Sequence, residues 1–429
     1  MSKPLRIAIA GLGTVGTGVV KMLQLHGDLI AARAGRPMEI VAVSARSRTK
    51  KRDIDISGFE WVDHPVDLVS RADVIIELMG GSEGDARLLV ETALKAGKPV
   101  ITANKALLAE HGFALASLSD QHKAPLMYEA AVAGGIPIIK ALREGFAGNA
   151  IQAVYGILNG TCNYILTEMR ETGRDFDSVL KEAQDKGYAE ADPSFDVDGI
   201  DAAHKLSILT ALAFGVKPAF DQVIIQGIRH ISAADILHAT ELGYRIKLLG
   251  IARCDRDGRI VQSMEPCLVP QDSPIGAVDG VFNATFVEGD FMRKSLLVGR
   301  GAGEGPTASA VLSDLIDLAR GGHIPVYGIP AAQLRDMQPG DASTIQAHYY
   351  IHLTVLDKPG VLADVAAIVR DHHISVEAVM QRSRNPDQPV SIIMTTHECR
   401  QSDVTAACAK IAGLDLVVQA PTVMRIEEF

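Results

Sequence analysis

Three stretches of the chain carry residue types whose spacing could do chemistry: a glycine loop near the start, a lysine after an apolar run, and a carboxylate-rich segment that opens a helix. Lysine is the most versatile of these groups, because one ammonium can polarise a substrate oxygen and then protonate it. Lys105 closes Thr102-Ala103-Asn104-Lys105, directly after the apolar run Pro99–Thr102. If that run is a strand of an open parallel sheet, Lys105 stands outside its carboxyl end, where ligands bind in such sheets. The alternative is a solvated surface lysine.

The carboxylate-rich segment holds Glu190, Asp192, Asp196, Asp198 and Asp201, five carboxylates within twelve residues. The spacing does not match a calcium loop: proline interrupts it, and no glycine stands where such a loop needs one. Asp201 and Lys205 are four apart and share a helix face, which Ile208, Leu209 and Leu212 continue as an apolar stripe. An exposed pair of this kind contributes only ~0.3–0.5 kcal/mol. The helix is apolar nearly all round after Lys205, so the pair is expected to be buried and functional. His204 is expected on the helix surface or as a structural hydrogen-bonder. Cys162, in Asn159-Gly160-Thr161-Cys162-Asn163, is a tempting nucleophile, but no histidine lies close in sequence. A buried structural cysteine is the preferred reading.

The glycine loop is Gly11-Leu12-Gly13-Thr14-Val15-Gly16. It follows the strand-like Leu5–Ala10 and opens a helical pattern reaching about Ala34, the context that marks a dinucleotide fold. Gly11 would allow the tight turn, Gly13 the approach of a pyrophosphate, and Gly16 close helix–strand packing. Thr14 and Val15 would offer backbone N–H groups at the helix N-terminus. After the second strand, an NAD site usually carries an acidic residue. This chain has the basic run Ser44-Ala45-Arg46-Ser47-Arg48-Thr49-Lys50-Lys51-Arg52 instead, with no carboxylate before Asp53; a solvated basic loop is the alternative. Arg46 suits a 2′-phosphate, so NADP is the expected cofactor, with NAD as the alternative.

The elements that must position these groups fall into three parts. Strand-like runs at Leu5–Ala10, Glu39–Val43, Ala72–Leu78 and Pro99–Thr102 alternate with helical segments, one of them Asp85–Ala96 ending at Gly97. That alternation gives an α/β fold with a parallel, helix-covered Rossmann-type sheet over 1–137, completed by a helix at 305–320. An α/β substrate-binding and dimerisation domain follows over 138–335, with strands at Ile151–Leu158 and Arg245–Arg253. The turn-rich segment 336–347 reads as a linker. Beyond it come strand His348–Asp357, helix Pro359–His372, strand Ile374–Arg382, turn Asn385–Gln388, strand Pro389–Thr396, helix Ser402–Ala412 and strand Leu414–Arg425. That βαββαβ order is ferredoxin-like, and 348–429 is expected to stand as a separate small domain.

Composition narrows the function classes. The chain has 429 residues, 47% apolar and 22% charged, which excludes a largely disordered protein. Lys and Arg total 42 against 52 Asp and Glu, a formal charge of −10, which speaks against a nucleic-acid partner. No apolar run approaches the ~18 residues needed to span a bilayer, so no membrane partner is expected. Glycines interrupt the apolar N-terminus, which therefore reads as mature protein and not as a signal peptide. The five cysteines form no CxxC or metal pattern, and a reducing cytoplasm fits them best.

Taken together, these motifs resemble the homoserine dehydrogenase family. The carriers are the glycine loop, Thr102–Lys105, Tyr128–Pro137, Gly156–Tyr164, Gly187–Pro193, the Asp201–Lys205 helix and Gly299–Gly303, in the family's order across 1–335. The C-terminal part resembles an ACT domain, with Asp357-Lys358-Pro359-Gly360 at its first strand–helix junction. The resemblance implies NAD(P)-dependent interconversion of L-homoserine and L-aspartate 4-semialdehyde, on the threonine and methionine route. It implies Lys105, Lys205 and Asp201 as catalytic residues, and Glu190, Gly187 and Asp196 on the substrate side. Lys105 and Gly303 are further implied to approach the cofactor. A monovalent cation, sodium in the family, maps onto Glu129 and the carbonyls of Val132, Gly134 and Ile136. Threonine as an effector and a homodimer or homotetramer complete the expectation. Two rivals remain: a Cys162-dependent aldehyde dehydrogenase, and a non-catalytic amino-acid or redox sensor.

Overall fold

A computed structural model describes residues 3–322, 324–381 and 389–429. The runs Leu5–Ala10 (β1), Met38–Ser44 (β2), Glu60–Trp61 (β3), Val74–Glu77 (β4), Val100–Thr102 (β5) and Leu126–Met127 (β6) form one sheet, ordered β3-β2-β1-β4-β5-β6. Every pairing in it is parallel. β4 and β5 are buried throughout, as strands covered by helices on both faces must be. The strand order reverses between β1 and β4, so the carboxyl ends of β1, β4 and β5 open onto one edge at the position where such sheets hold ligands. The helix Glu304–Ala319 returns from far downstream to pack on the helix Thr14–Ala34. It buries Ala308, Val311, Leu312 and Leu315 with Ile7, Ile9, Val19 and Val20. At ~1.5–3 kcal/mol for each large side chain fully buried, the returning helix is a structural part of this first unit.

A second, mixed sheet carries the rest of the chain. Its strands are Ile151–Ile157 (β7), Ile224–Ile225 (β8), Tyr244–Cys254 (β9), Ile260–Pro270 (β10), Phe282–Gly289 (β11), Arg293–Arg300 (β12), Gln346–Leu356 (β13), Val376–Gln381 (β14), Pro389–Thr396 (β15), Cys399–Arg400 (β16) and Thr422–Ile426 (β17). The main path runs β12-β11-β7-β9-β10-β17-β13-β15-β14, with β8 on β10 and β16 on β13. The helix Ile200–Phe214 packs on β7, β9 and β10, and also touches the helix Lys105–His122. That double contact brings the Asp201–Lys205 face to the carboxyl edge of the parallel sheet.

The βαββαβ unit has its own apolar core, built on Ile351, Leu353, Val365, Ile392 and Ile411. It does not stand apart, however. β17 pairs antiparallel with β13 and parallel with β10, through Cys267–Arg425 and Leu268–Ile426, so one sheet runs through both modules. Asp235, on the helix Ala233–Glu241, accepts from His352 Nδ1 at 2.7 Å and from the Tyr350 hydroxyl at 3.2 Å across the same junction. The stretch read as a linker also lies against β10: Ile260 donates to the Gln338 carbonyl at 2.9 Å and Gly340 to the Ile260 carbonyl at 2.8 Å. The strand expected over Leu414–Arg425 shortens to Thr422–Ile426, beyond Pro421, which has no N–H to give a ladder; upstream, Val417 makes only an isolated bridge to Val355. The turn Asn385–Gln388 falls outside the described residues.

Candidate active site

The glycine loop turns from β1 into the helix Thr14–Ala34 under two steric constraints. Gly11 has φ +103°, and a Cβ there would lie 2.5 Å from the Leu78 carbonyl oxygen. A Cβ on Gly16 would lie 2.0 Å from the Gly11 oxygen. Gly13, by contrast, faces open space, with no atom within 4 Å of an added Cβ. The helix starts at Thr14 with no side-chain cap and no acidic residue in its first turn. Its free N–H groups, including those of Thr14 and Val15, therefore remain available to an anion. The residues fit a dinucleotide pyrophosphate.

Arg46 is exposed just past β2 and makes no hydrogen bond or ion pair among the described residues. Arg52, two residues beyond Lys50, holds the loop instead. Its guanidinium donates to the carbonyls of Leu12 at 3.1 Å, Lys50 at 2.9 Å and Ser47 at 2.8 Å, tying the basic loop to the glycine turn. Sequence reasoning saw this arginine only as part of a charge run.

Across the edge, Lys105, Asp201, Lys205 and Asp196 come together. Asp201 is buried and accepts Lys205 Nζ at 2.7 Å on Oδ2, while Lys105 Nζ lies 3.1 Å from Oδ1. Lys205 also donates to the Leu158 carbonyl at 2.8 Å. Burial alone would raise the Asp201 carboxyl; Lys205 and Lys105 more than offset it and hold the group well below the usual carboxylate range. Asp196 moves the other way: burial raises it, and the charge on Asp201 adds to the rise. The Lys105 side chain is 32% exposed against 10% for Lys205, so Lys105 faces the open edge.

Lys105 owes its place to a network behind it. Asn104 caps the helix Lys105–His122, accepting the Leu107 N–H at 3.1 Å and donating to the Gly81 carbonyl at 2.7 Å. Glu77, fully buried at the end of β4, accepts from the Thr102 hydroxyl at 2.6 Å and from the N–H of Met79 at 2.7 Å. Burial raises its carboxyl, and those hydrogen bonds oppose the rise. Glu77 was missed in the sequence, although a carboxylate inside the apolar run Val74–Leu78 was a readable signal.

Other expected residues sit differently. Glu190 is exposed on the loop after the helix Phe176–Asp185, and its carboxylate makes no hydrogen bond or ion pair among the described residues. Gly187 turns that loop at φ +75°. His204 is not a surface residue: it is buried between Phe195 and Phe220, ring centroids 5.6 and 4.1 Å away, and its Nδ1 has no hydrogen-bond partner among the described residues. The packing of helix Ile200–Phe214 on both sides explains this. Cys162 is fully buried, with Sγ donating to the Asp196 carbonyl at 3.3 Å, and burial pushes its thiol far above the ordinary value. That state is the opposite of a nucleophile's.

The loop after β6 gathers the expected cation ligands. Glu129 is buried and accepts the N–H groups of Ile139 and Lys140, both at 2.9 Å. Its own N–H donates to the buried Asp314 at 2.8 Å. Burial first and then Asp314 raise the Glu129 carboxyl to about 7, and burial raises Asp314 to about 6. Ala133 and Gly134 are both left-handed, and a Cβ on Gly134 would lie 2.5 Å from the Gly301 oxygen, so the loop is pressed against the turn that leads to Gly303. The carbonyls of Val132 and Gly134 accept no hydrogen bond among the described residues, whereas that of Ile136 accepts from Ile138 at 2.8 Å. Two carbonyls and a buried carboxylate fit a hard monovalent cation.

Comparison with known proteins identifies the family. Residues 137–316 match the family model for homoserine dehydrogenase, 11–129 that for the homoserine dehydrogenase NAD-binding domain, and 349–413 that for the ACT domain. The homoserine dehydrogenase of Neisseria gonorrhoeae is 42% identical over 99% of both chains. The structure of a homoserine dehydrogenase from Thiobacillus denitrificans superposes with a TM-score of 0.92 at 42% identity, covering 99% of each chain. A hyperthermophilic archaeal homoserine dehydrogenase in complex with NADPH matches 73% of this chain and 97% of its own, with a TM-score of 0.63 at 27% identity. With family models over most of its length and full-length relatives above 40% identity, the chain belongs to the homoserine dehydrogenase family of oxidoreductases.

Proposed function

We propose that the chain interconverts L-homoserine and L-aspartate 4-semialdehyde at the edge between the glycine loop and the Lys105–Asp201–Lys205 cluster. The observation that carries this reading is the cluster itself: two ammonium groups share one buried carboxylate at 3.1 and 2.7 Å, beside a helix N-terminus free to take a pyrophosphate. A bound nicotinamide supplies or accepts the hydride at the substrate carbon. Lys105 is the proton donor to the developing alkoxide, because its ammonium has one close anionic partner and faces the open edge. Lys205, committed to Asp201 and the Leu158 carbonyl, is a fixed positive charge that stabilises the same oxygen. Asp201 aligns both. Glu190, whose exposed carboxylate has no partner among the described residues, is suited to the substrate's α-ammonium, with Asp196 and Gly187 as further substrate contacts.

The unpaired Arg46 supports NADP over NAD. The archaeal relative described in complex with NADPH is consistent with that choice. Glu129 and the carbonyls of Val132 and Gly134 would hold sodium, and the ACT module would bind threonine as effector. All five cysteines are free, which suits a cytoplasmic setting. Initial rates of L-homoserine oxidation with NADP⁺ and NAD⁺ test the reading. The wild-type chain should prefer NADP⁺, and Arg46→Ala should raise KM for NADP⁺ while leaving that for NAD⁺ in place. No turnover with either cofactor would refute the assignment.

A further inference from the structure

Asn159 ends the loop after β7 and caps the helix Gly160–Thr172, its Oδ1 accepting the Cys162 N–H at 2.8 Å. Its Nδ2 does something a cap does not require: it donates to Asp196 Oδ1 at 2.7 Å and to Asp201 Oδ2 at 2.9 Å. The partners fix the amide's orientation, since an N–H can only donate and two carboxylates only accept. The side chain is 5% exposed, so no water competes freely for these bonds. Asp201 Oδ2 is thereby shared by Asn159 and Lys205, and Oδ1 is left facing Lys105. Without a double donor between them, a buried and a half-buried carboxylate would face each other unbridged, and one would swing away or take up a proton.

We propose that Asn159 is a positioning residue: its side-chain NH₂ clamps Asp196 and Asp201 together so that Asp201 presents one oxygen to each lysine. The inference rests on the reading of Lys105 and Lys205 above and assigns the residue that sets their geometry. Serine in this place could cap the helix but has one proton to give, and aspartate could cap it but has none. Around the clamp, the charges of Asp196, Asp198, Asp201 and Lys205 act on Cys162, and those of Glu110, Lys105, Asp201 and Lys205 act on His204.

The test compares full-length wild type, Asn159→Asp and Asn159→Ser in L-homoserine oxidation with NADP⁺, with thermal unfolding alongside. Both variants retain a cap acceptor and should fold, and Asn159→Ser adds no charge. Each should lose roughly tenfold to a hundredfold in kcat, the loss expected for a hydrogen bond to a charged group, with a smaller change in KM for homoserine. Asn159→Asp removes both donated protons and sets a third carboxylate beside Asp196 and Asp201, so its loss in kcat should exceed that of Asn159→Ser. Variants with wild-type kcat, or with losses that fall on KM for homoserine or only follow lowered stability, would make Asn159 a helix cap alone. Failure of the parent reading looks different: the wild type itself would then show no homoserine-dependent turnover.

Discussion

Replacing Asp201 by asparagine keeps the shape of the side chain and removes the charge that two ammonium groups share. At an effective dielectric constant of about 20, a unit charge at 2.7 Å contributes about 6 kcal/mol and one at 3.1 Å about 5 kcal/mol before desolvation is counted. The partial exposure of Lys105 screens the second contact further. Breaking a buried pair by removing one partner typically costs ~3–5 kcal/mol of stability. Because the Asp201 carboxyl is held below the usual range in the folded chain, its stabilisation is present above the unfolded value of ~3.9 and is lost only as pH falls below it. The gap between wild type and variant in urea unfolding should therefore be constant between about pH 5 and pH 8 and shrink below about pH 4. Turnover should respond as well, with kcat down by roughly a hundredfold to a thousandfold. A variant with wild-type stability and wild-type kcat would refute the shared-carboxylate reasoning.

Three further outcomes follow. Cys162→Ser should keep homoserine oxidation at the wild-type order of magnitude, measured by initial rates; abolished activity would revive a thioester route. Gly16→Ala should lose both stability and NADPH affinity, since its Cβ would press on the Gly11 oxygen at 2.0 Å, whereas Gly13→Ala should lose affinity alone in a fluorescence titration. Asp235→Asn should cost ~1–3 kcal/mol in chemical denaturation, because it weakens the contacts with His352 and Tyr350 that tie the ACT module to the substrate domain. Unchanged stability there would show that β17 alone joins the modules.

Much of the site was legible because its signals are local. The glycine loop sits between an apolar strand and a helix, and Asp201 and Lys205 are four apart on a helix whose apolar surroundings implied burial. Asn159 was not legible as a clamp, because its partners Asp196 and Asp201 lie 37 and 42 residues away, and only the fold brings them together. The same holds for β17. Its residues look like the last strand of a small domain, and nothing local shows that β10 pairs with its other edge. His204 failed for a related reason: Phe220, which buries it, comes from beyond the helix's end.

The central claim is that Lys105, seated by Asn104 and aimed at Asp201, moves the proton in homoserine oxidation. The most direct test follows nicotinamide absorbance when the purified chain meets L-homoserine and NADP⁺ at alkaline pH, beside Lys105→Ala. NADPH binding is measured on both proteins. The account predicts steady reduction by the wild type and loss of turnover in Lys105→Ala with NADPH affinity retained. Turnover that survives the substitution would contradict it.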